Sequence, residues 1–421
     1  MLSIKESASA RGISKNVLVL GISSAIGTFS NMLWVFFLPI ILHTEGAGAL
    51  EIGLVYSAST LLSTLLQIPS GSFVDKYGRK TGILSGVLVQ FSSVLLLAAI
   101  PSPLMAALAY ILFSGGGVLK GLGITALITE SVQPEQLAVS FGYWKTMAGS
   151  IAVVAPTLGG FIIESHGMRQ VLFVSSGLLL VVLLLRAALL RETFKRESGI
   201  HKLARSSFSQ FRYFSELRTV LQQRSFLLFA VAYGVYNALL FQSSFVIPLY
   251  SQSVLGLSTV QIGFMFSIFV VFDALFALPY GKLADHFGHT RIILVSWVAE
   301  MGWMMVFAFS SGSLMALGAF SLWVAFGSLD GPASEAVLGT LIKTGRRGFS
   351  LGFFNTFALA MVIPAELVTG ALYSMSSRLP FFANLLLDLA ALGLFLSFLK
   401  SRRLESSDQF RQLESDLLAG A

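Results

Sequence analysis

Long apolar runs alternate with short polar breaks along nearly the whole chain. From Val17 onward each run is about 20 residues or longer, the length of helix that crosses a bilayer. The first six fall at 17–42, 51–70, 81–100, 104–128, 140–163 and 170–190. A charged stretch from Arg191 to Arg224 follows, and a second set occupies 225–250, 259–280, 291–311, 313–338, 350–374 and 379–399. The pattern predicts an all-α membrane protein with twelve transmembrane helices in two pseudo-symmetric six-helix bundles. One bundle takes residues 1–190 and the other 225–400, with a linker over 191–224 and a tail over 401–421. In the linker, Phe208, Phe211, Phe214, Leu217 and Leu221 recur at helical spacing among Arg205, Arg212 and Arg218. That spacing fits an amphipathic helix, either lying on the inner leaflet or joining the bundles.

Two of the polar breaks are copies of each other. The first reads Gly71-Ser72-Phe73-Val74-Asp75-Lys76-Tyr77-Gly78-Arg79-Lys80. The second reads Gly281-Lys282-Leu283-Ala284-Asp285-His286-Phe287-Gly288-His289-Thr290-Arg291. Gly71, Asp75 and Gly78 each recur 210 positions later, half the length of the chain, so the chain is one unit written twice. Each residue type has a mechanical use. A glycine such as Gly71 lets a neighbouring backbone approach. Asp75 can accept hydrogen bonds from the first amides of the next helix. Gly78 permits the tight turn. Arg79 and Lys80 hold the loop on the cytoplasmic side.

The pattern Gly-x-x-x-Asp-x-x-Gly-Arg-Lys between the second and third membrane helices resembles the signature loop of the major facilitator superfamily. The second copy keeps Gly281, Asp285 and Gly288 but has His289 where arginine is usual, with Arg291 two residues on. The resemblance implies a secondary active transporter whose halves rock about a midplane site. It also implies that the first, fourth, seventh and tenth helices line the cavity. The two loops then form a conformational latch, in which Arg79 pairs with a neighbouring acid such as Glu130. The fifth helix carries Pro156-Thr157-Leu158-Gly159-Gly160, similar to a motif of the superfamily's drug–proton antiporters except that Ala155 replaces its first glycine. Pro156 predicts a kink, and Gly159 and Gly160 predict close packing on the other half.

Composition narrows the class. Hydrophobic residues make up 55% of the chain and charged residues 12%, more apolar surface than a soluble protein can hide. The net charge of +7 is not a nucleic-acid footprint, because its distribution follows the membrane. Of 28 lysines and arginines, 24 fall in segments on one side, and only Arg169 and Arg378 on the other. That asymmetry predicts a multi-pass cell-membrane protein with both termini in the cytoplasm. Cysteine is absent, which excludes disulfides and thiolate metal sites. There is no Gly-Lys-Ser/Thr phosphate loop and no metal-ligand cluster. The expectation is a monomeric transporter rather than an enzyme, with no cofactor and no metal, whose partners are a small-molecule substrate, protons and the bilayer.

Charge inside membrane helices is costly and points to function. The candidates are Lys120, Lys145, Asp273, Glu300, Asp330, Glu366 and Asp388. Lys120 and Asp330 are 210 positions apart, at equivalent places in the fourth helix of each half, and are expected either to face each other across the cavity or to snorkel to the interface. Glu366 sits mid-helix, where burial disfavours the charged carboxylate, which suits a reversible proton carrier. Asp273 is placed to pair with the signature loops, and Glu300 and Asp388 are expected to be structural. Asn31, Asn237, Gln242 and Trp323 are the candidate polar and aromatic groups of the cavity, with Asn355, Tyr233 and Tyr236 beside them. An aromatic-rich cavity with few charges suits an amphiphilic organic solute. The leading expectation is therefore proton-coupled export of a drug-like compound. The alternatives are proton-linked uptake of a small organic anion through Lys120, and a non-transporting membrane sensor.

Overall fold

The computed structural model describes residues 14–100, 102–193, 223–240, 243–341 and 347–419, and the proposed amphipathic helix of the linker lies outside them. The first set of helices is α1 (Lys15–Met32), α2 (Leu38–Thr44), α3 (Ala49–Tyr77), α4 (Arg79–Ala99), α5 (Pro103–Ser131), α6 (Leu137–Ser150), α7 (Ala155–His166) and α8 (Met168–Leu189). The second is α9 (Arg224–Leu240), α10 (Ser243–Ser253), α11 (Thr259–Leu275), α12 (Ala277–Phe287), α13 (His289–Ala308), α14 (Ser313–Gly327), α15 (Asp330–Leu341), α16 (Arg347–Met375) and α17 (Leu379–Ala419). Serines cap several starts: Ser14 accepts from the Val17 amide, Ser102 from Met105, and Ser258 forms a capping box with Gln261.

Among the described residues, ten helical stretches are long and apolar enough to cross a membrane. The pair α11 and α12, bent by 52°, makes an eleventh. The predicted span 225–250 corresponds to α9 and α10, on either side of residues 241–242. Three further predicted spans are two helices each: α1 and α2 are separated by a 3-10 turn at Val35–Phe37, α6 and α7 by one at Ala152–Val154, and α14 and α15 by a break at 328–329.

Successive spans run in opposite directions. Gly78 and Gly288, at φ 103° and 93°, turn the chain at one end, the loop end; Gly46, Gly167 and Gly256 mark the opposite, far end. Asn16 and Arg402 are both at the loop end. Asn16 donates to Ser131 and to the Arg191 carbonyl, and Arg402 donates to Thr340.

The buried apolar residues divide along this axis. At the far end one core is built from both sets, with Trp34, Phe37 and Tyr56 packed with Phe245, Phe266 and Phe307. At the loop end there are two separate cores. Val17, Leu20, Ile83 and Leu127 belong to the first set, and Phe229, Trp297, Phe395 and Phe398 to the second.

Two seams close the far end. A Cβ on Gly53 of α3 would lie 2.7 Å from the Glu366 carbonyl and 3.1 Å from the Gly370 Cα of α16. A Cβ on Gly160 of α7 would lie 2.2 Å from the Thr259 carbonyl, and one on Gly263 of α11 2.3 Å from the Pro156 carbonyl. Backbones this close admit no side chain. Ser57 donates to the Ile363 carbonyl, Thr157 to Ser267 and Thr259 to the Gly160 carbonyl across the same seams. Pro156 and Gly160 both lie at the seam of α7 with α11. Gly159 instead backs onto the Leu33 carbonyl, within its own set of helices. The close approach expected at Gly71 is not made among the described residues: beyond its own helix backbone no atom lies within 4 Å of its Cβ position, and Gly281 meets only Pro332, at 3.9 Å. The reason is that both glycines lie towards the loop end, away from the close seams.

Candidate functional site

A cavity of about 490 Å³ lies mainly within the second set of helices. Its aromatic wall is Phe36, Phe266, Phe269, Phe320 and Trp323, and its acids are Asp273, Glu300 and Asp330. Phe36 stacks on Phe266 at 4.1 Å, so the 3-10 turn of the first span reaches over to close the cavity. Asn237 and Ser328 complete the polar lining; among the described residues no lysine or arginine contributes.

The two deepest acids are held by aromatic N–H and O–H donors. Glu300 accepts from the indole of Trp323 at 2.9 Å and from the phenol of Tyr236. Asp330 accepts from the indole of Trp297 at 3.0 Å, and the Trp297 and Tyr236 rings stack at 4.2 Å. Asp330 is the first residue of α15, where the helix dipole favours a negative charge. Both carboxyls are almost fully buried, and no cation hydrogen-bonds to either among the described residues. Asp388, expected with Glu300 to be structural, is buried on α17 and accepts from Asn384.

Glu300 was expected to stand away from the chemistry, and it lines the cavity. Its signal was in the sequence: Gln90 lies 210 positions before it, so both repeats carry a polar residue mid-helix at one register.

Lys120 and Asp330 do not form the expected pair across the cavity. Lys120 Nζ donates to Gln90 Oε1 at 2.7 Å, within the first set, and Lys120 lies outside the lining. Asp330 is turned to Trp297 instead. Asp273 also departs from expectation. It lines the cavity, and Lys145 on α6, in the first set, attracts its carboxylate.

Of the other candidates, Asn237 and Trp323 line the cavity. Asn31 stands where the first span breaks, its buried Oδ1 without a hydrogen-bond partner. Gln242 lies outside the described residues, as does the side chain of Asn355. Glu366 is on α16 at the seam with α3. Thr60 donates to its Oε1 at 3.2 Å, while the buried Oε2 has no partner. Tyr56, whose ring lies 5.0 Å from that of Tyr110, stands near it.

In the first signature loop, Arg79 does reach Glu130, at 2.9 Å from Nε and 2.8 Å from Nη2. The helix-end amides expected at Asp75 go to Glu192, whose two oxygens accept from the amides of Arg79 and Lys80 at 3.0 Å each. Asp75, 74% exposed, pairs with Arg79 at 3.3 Å instead. The reason is geometric. Asp75 is still inside α3, four residues before Arg79, so its side chain meets the Arg79 side chain rather than the start of α4. The second copy repeats this contact, His289 to Asp285 at 3.2 Å, while Arg291 is exposed.

The family profile of the Major Facilitator Superfamily matches residues 19–269 and 243–419. An uncharacterised MFS-type transporter of Methanocaldococcus jannaschii, MJ1317, is 24% identical over 414 residues, covering 94% of this chain and 97% of its own. The quinolone resistance protein NorA of Staphylococcus aureus is 24% identical over 367 residues, covering 85% and 90%. Among solved structures, a bacterial homologue of the human lysosomal transporter Spinster, inward-facing and unoccupied, superposes with TM-score 0.73 at 14% identity, over 92% of this chain and 96% of its own. The nucleoside transporter NupG gives TM-score 0.69 at 16% identity, over 91% and 98%.

Proposed function

The chain belongs to the major facilitator superfamily of membrane transporters, and from that premise we propose that it exports amphiphilic organic cations in exchange for protons. The observation that carries this reading is the cavity: five aromatic side chains and three carboxyls with no lysine or arginine beside them among the described residues. Aromatic faces and carboxylates attract an organic cation, and an apolar wall accommodates its body. A carboxyl that binds a proton releases the cation, so competition at Glu300 and Asp330 is the exchange step. NorA, a quinolone resistance protein, supports a drug-like substrate. Uptake of an organic anion through Lys120 is disfavoured by the place of that residue, tied to Gln90 outside the cavity lining.

On this reading the protein acts as a monomer in the cell membrane, and the lysine and arginine distribution supports an orientation with both termini and the loop end in the cytoplasm. In that orientation the shared far-end core closes the outer side and the separate cores leave the inner side parted. The two halves, 1–190 and 225–400, rock on the glycine seams. Glu366, at one seam, takes up or releases a proton as that seam parts. The Arg79–Glu130 pair and the Glu192 cap brace the signature loop through the movement.

The test is proton movement in proteoliposomes, wild type against Glu300→Gln, Asp330→Asn and Glu366→Gln, with a panel of lipophilic cations and small organic acids. Cation-driven proton release that fails in the first two variants supports the reading. A pH gradient that no cation moves overturns proton coupling, and proton flux with the acids alone reverses the substrate class.

A further inference from the structure

The two partners of Glu300 differ in what they can do. The Trp323 indole donates to Oε1 at 2.9 Å, and the Tyr236 phenol donates to Oε2. An indole N–H only donates, whereas a phenol O–H donates or accepts. A carboxylate only accepts, so the ionised form satisfies both partners as they stand. A carboxylic acid has an O–H of its own to place, and of these two partners only Tyr236 can accept it. The proton therefore belongs on Oε2, while Oε1 keeps the indole as a carbonyl oxygen.

Tyr236 is held in place for this exchange of roles. It is 1% exposed, lies behind the cavity wall, and stacks on Trp297 at 4.2 Å with 19° between the rings. Trp297 is tied in turn to Asp330. The stack fixes the phenol ring and leaves its hydroxyl hydrogen free to turn about the C–O bond. Apart from Tyr236 on α9, the titratable groups that face Glu300 are Asp330 on α15 and Asp388 on α17. Asp273 on α11 lines the same cavity.

We propose that Tyr236 is the positioning residue for proton exchange at Glu300: its hydroxyl donates to the carboxylate while an organic cation is bound, and turns to accept from the acid when a proton replaces the cation. The incoming proton comes from water and joins Oε2. The carboxyl goes from one negative charge to none, the cation leaves with its positive charge, and Tyr236 keeps its own proton throughout. The role in transport rests on the cation–proton reading of the cavity; the change of hydrogen-bond direction needs no substrate.

The experiment is an infrared pH titration of the full chain in lipid nanodiscs without substrate. The carboxyl carbonyl stretch that is missing in Glu300→Gln belongs to protonated Glu300. Tyr236→Phe keeps the ring but removes a hydrogen bond to the charged form. The midpoint of that band should therefore move up by about one pH unit, a tenfold lower proton concentration (about 1.4 kcal/mol). Trp323→Phe removes the donor from the carbonyl oxygen, so the stretch itself should rise in frequency, and by more than in Tyr236→Phe. An unmoved midpoint in Tyr236→Phe overturns the proposal, as does the lack of any Glu300 band over the pH range in which the protein stays folded. If Tyr236→Phe does not fold, Trp323→Phe decides alone, and an unmoved stretch there puts the proton on Oε1 and overturns the proposal. A lipophilic cation then tests the reading beneath it, and should lower the wild-type midpoint. A midpoint that no cation moves, with the shifts in the variants intact, refutes cation exchange and leaves the role of Tyr236 at Glu300 standing.

Discussion

The helix pair α4 and α5 and its repeat, α13 with α14 and α15, hold four residues at matching positions. Gln90 and Lys120 in the first correspond to Glu300 and Asp330 in the second. In the first pair the helices touch backbone to backbone: a Cβ on Gly86 would sit 2.5 Å from the Gly116 carbonyl, and α5 runs unbroken through its glycines. At the repeat of Gly86 stands Ser296, whose hydroxyl donates to the Phe326 carbonyl, and the helix breaks two residues later. One pair is a tight neutral-and-cationic contact turned into its own bundle. The other is opened out, so that two carboxyls and their aromatic donors line a cavity. Duplication supplied the register, and a few side chains decided which copy opened onto a cavity.

The largest expected effect tests the acidic copy. Glu300→Gln and Asp330→Asn should each reduce cation-driven proton flux in proteoliposomes to that of empty liposomes, because an amide cannot exchange a proton. Retention of flux in both would make the two copies equivalent and remove the contrast.

The next compares the ends of the molecule. Gly370→Val forces a side chain into a gap where a Cβ would already be 2.7 Å from the Ala49 carbonyl. It should part the α3–α16 seam. Because the chain has no cysteine, a single cysteine introduced at the far end reports the opening. Its labelling should rise about tenfold, equivalent to about 1.4 kcal/mol, with no such rise for a cysteine at the loop end.

A third change makes the first copy resemble the second. Gln90→Glu gives Lys120 a charged partner and should stabilise the protein by about 1 kcal/mol in thermal unfolding. Unchanged stability would mean that Lys120 already has its charge compensated.

The smallest effects concern the signature loop. Glu192→Gln weakens the cap of α4 and should cost about 1 kcal/mol. Asp75→Asn, on an exposed side chain paired only at the surface, should cost less than about 0.5 kcal/mol. The reverse order would return the capping role to Asp75.

Much of this was legible in the chain. Run length gave the spans, the offset of 210 gave the repeat, and the Arg79–Glu130 contact followed from opposite charges at neighbouring helix ends. Pairings across tertiary space were not. Nothing local to Asp75 says that Glu192, more than 100 residues away, reaches the amides first. Lys120 and Asp330 share a register, but the facing direction of each depends on whether its helix touches the neighbour through Gly86 or is held off by Ser296. Glu300 was readable only by comparing repeats, since within its own helix a lone acid among Trp297, Met301 and Met304 has no pattern to mark it.

The division into one shared and two private cores has a consequence for biogenesis. Each private core is made from helices that emerge together during synthesis, so each half can gather its own members as they enter the bilayer. The shared core needs residues from both halves and can form only after the second half has been inserted. Assembly therefore ends at the far end, and two separately made halves should find each other there and regain the whole.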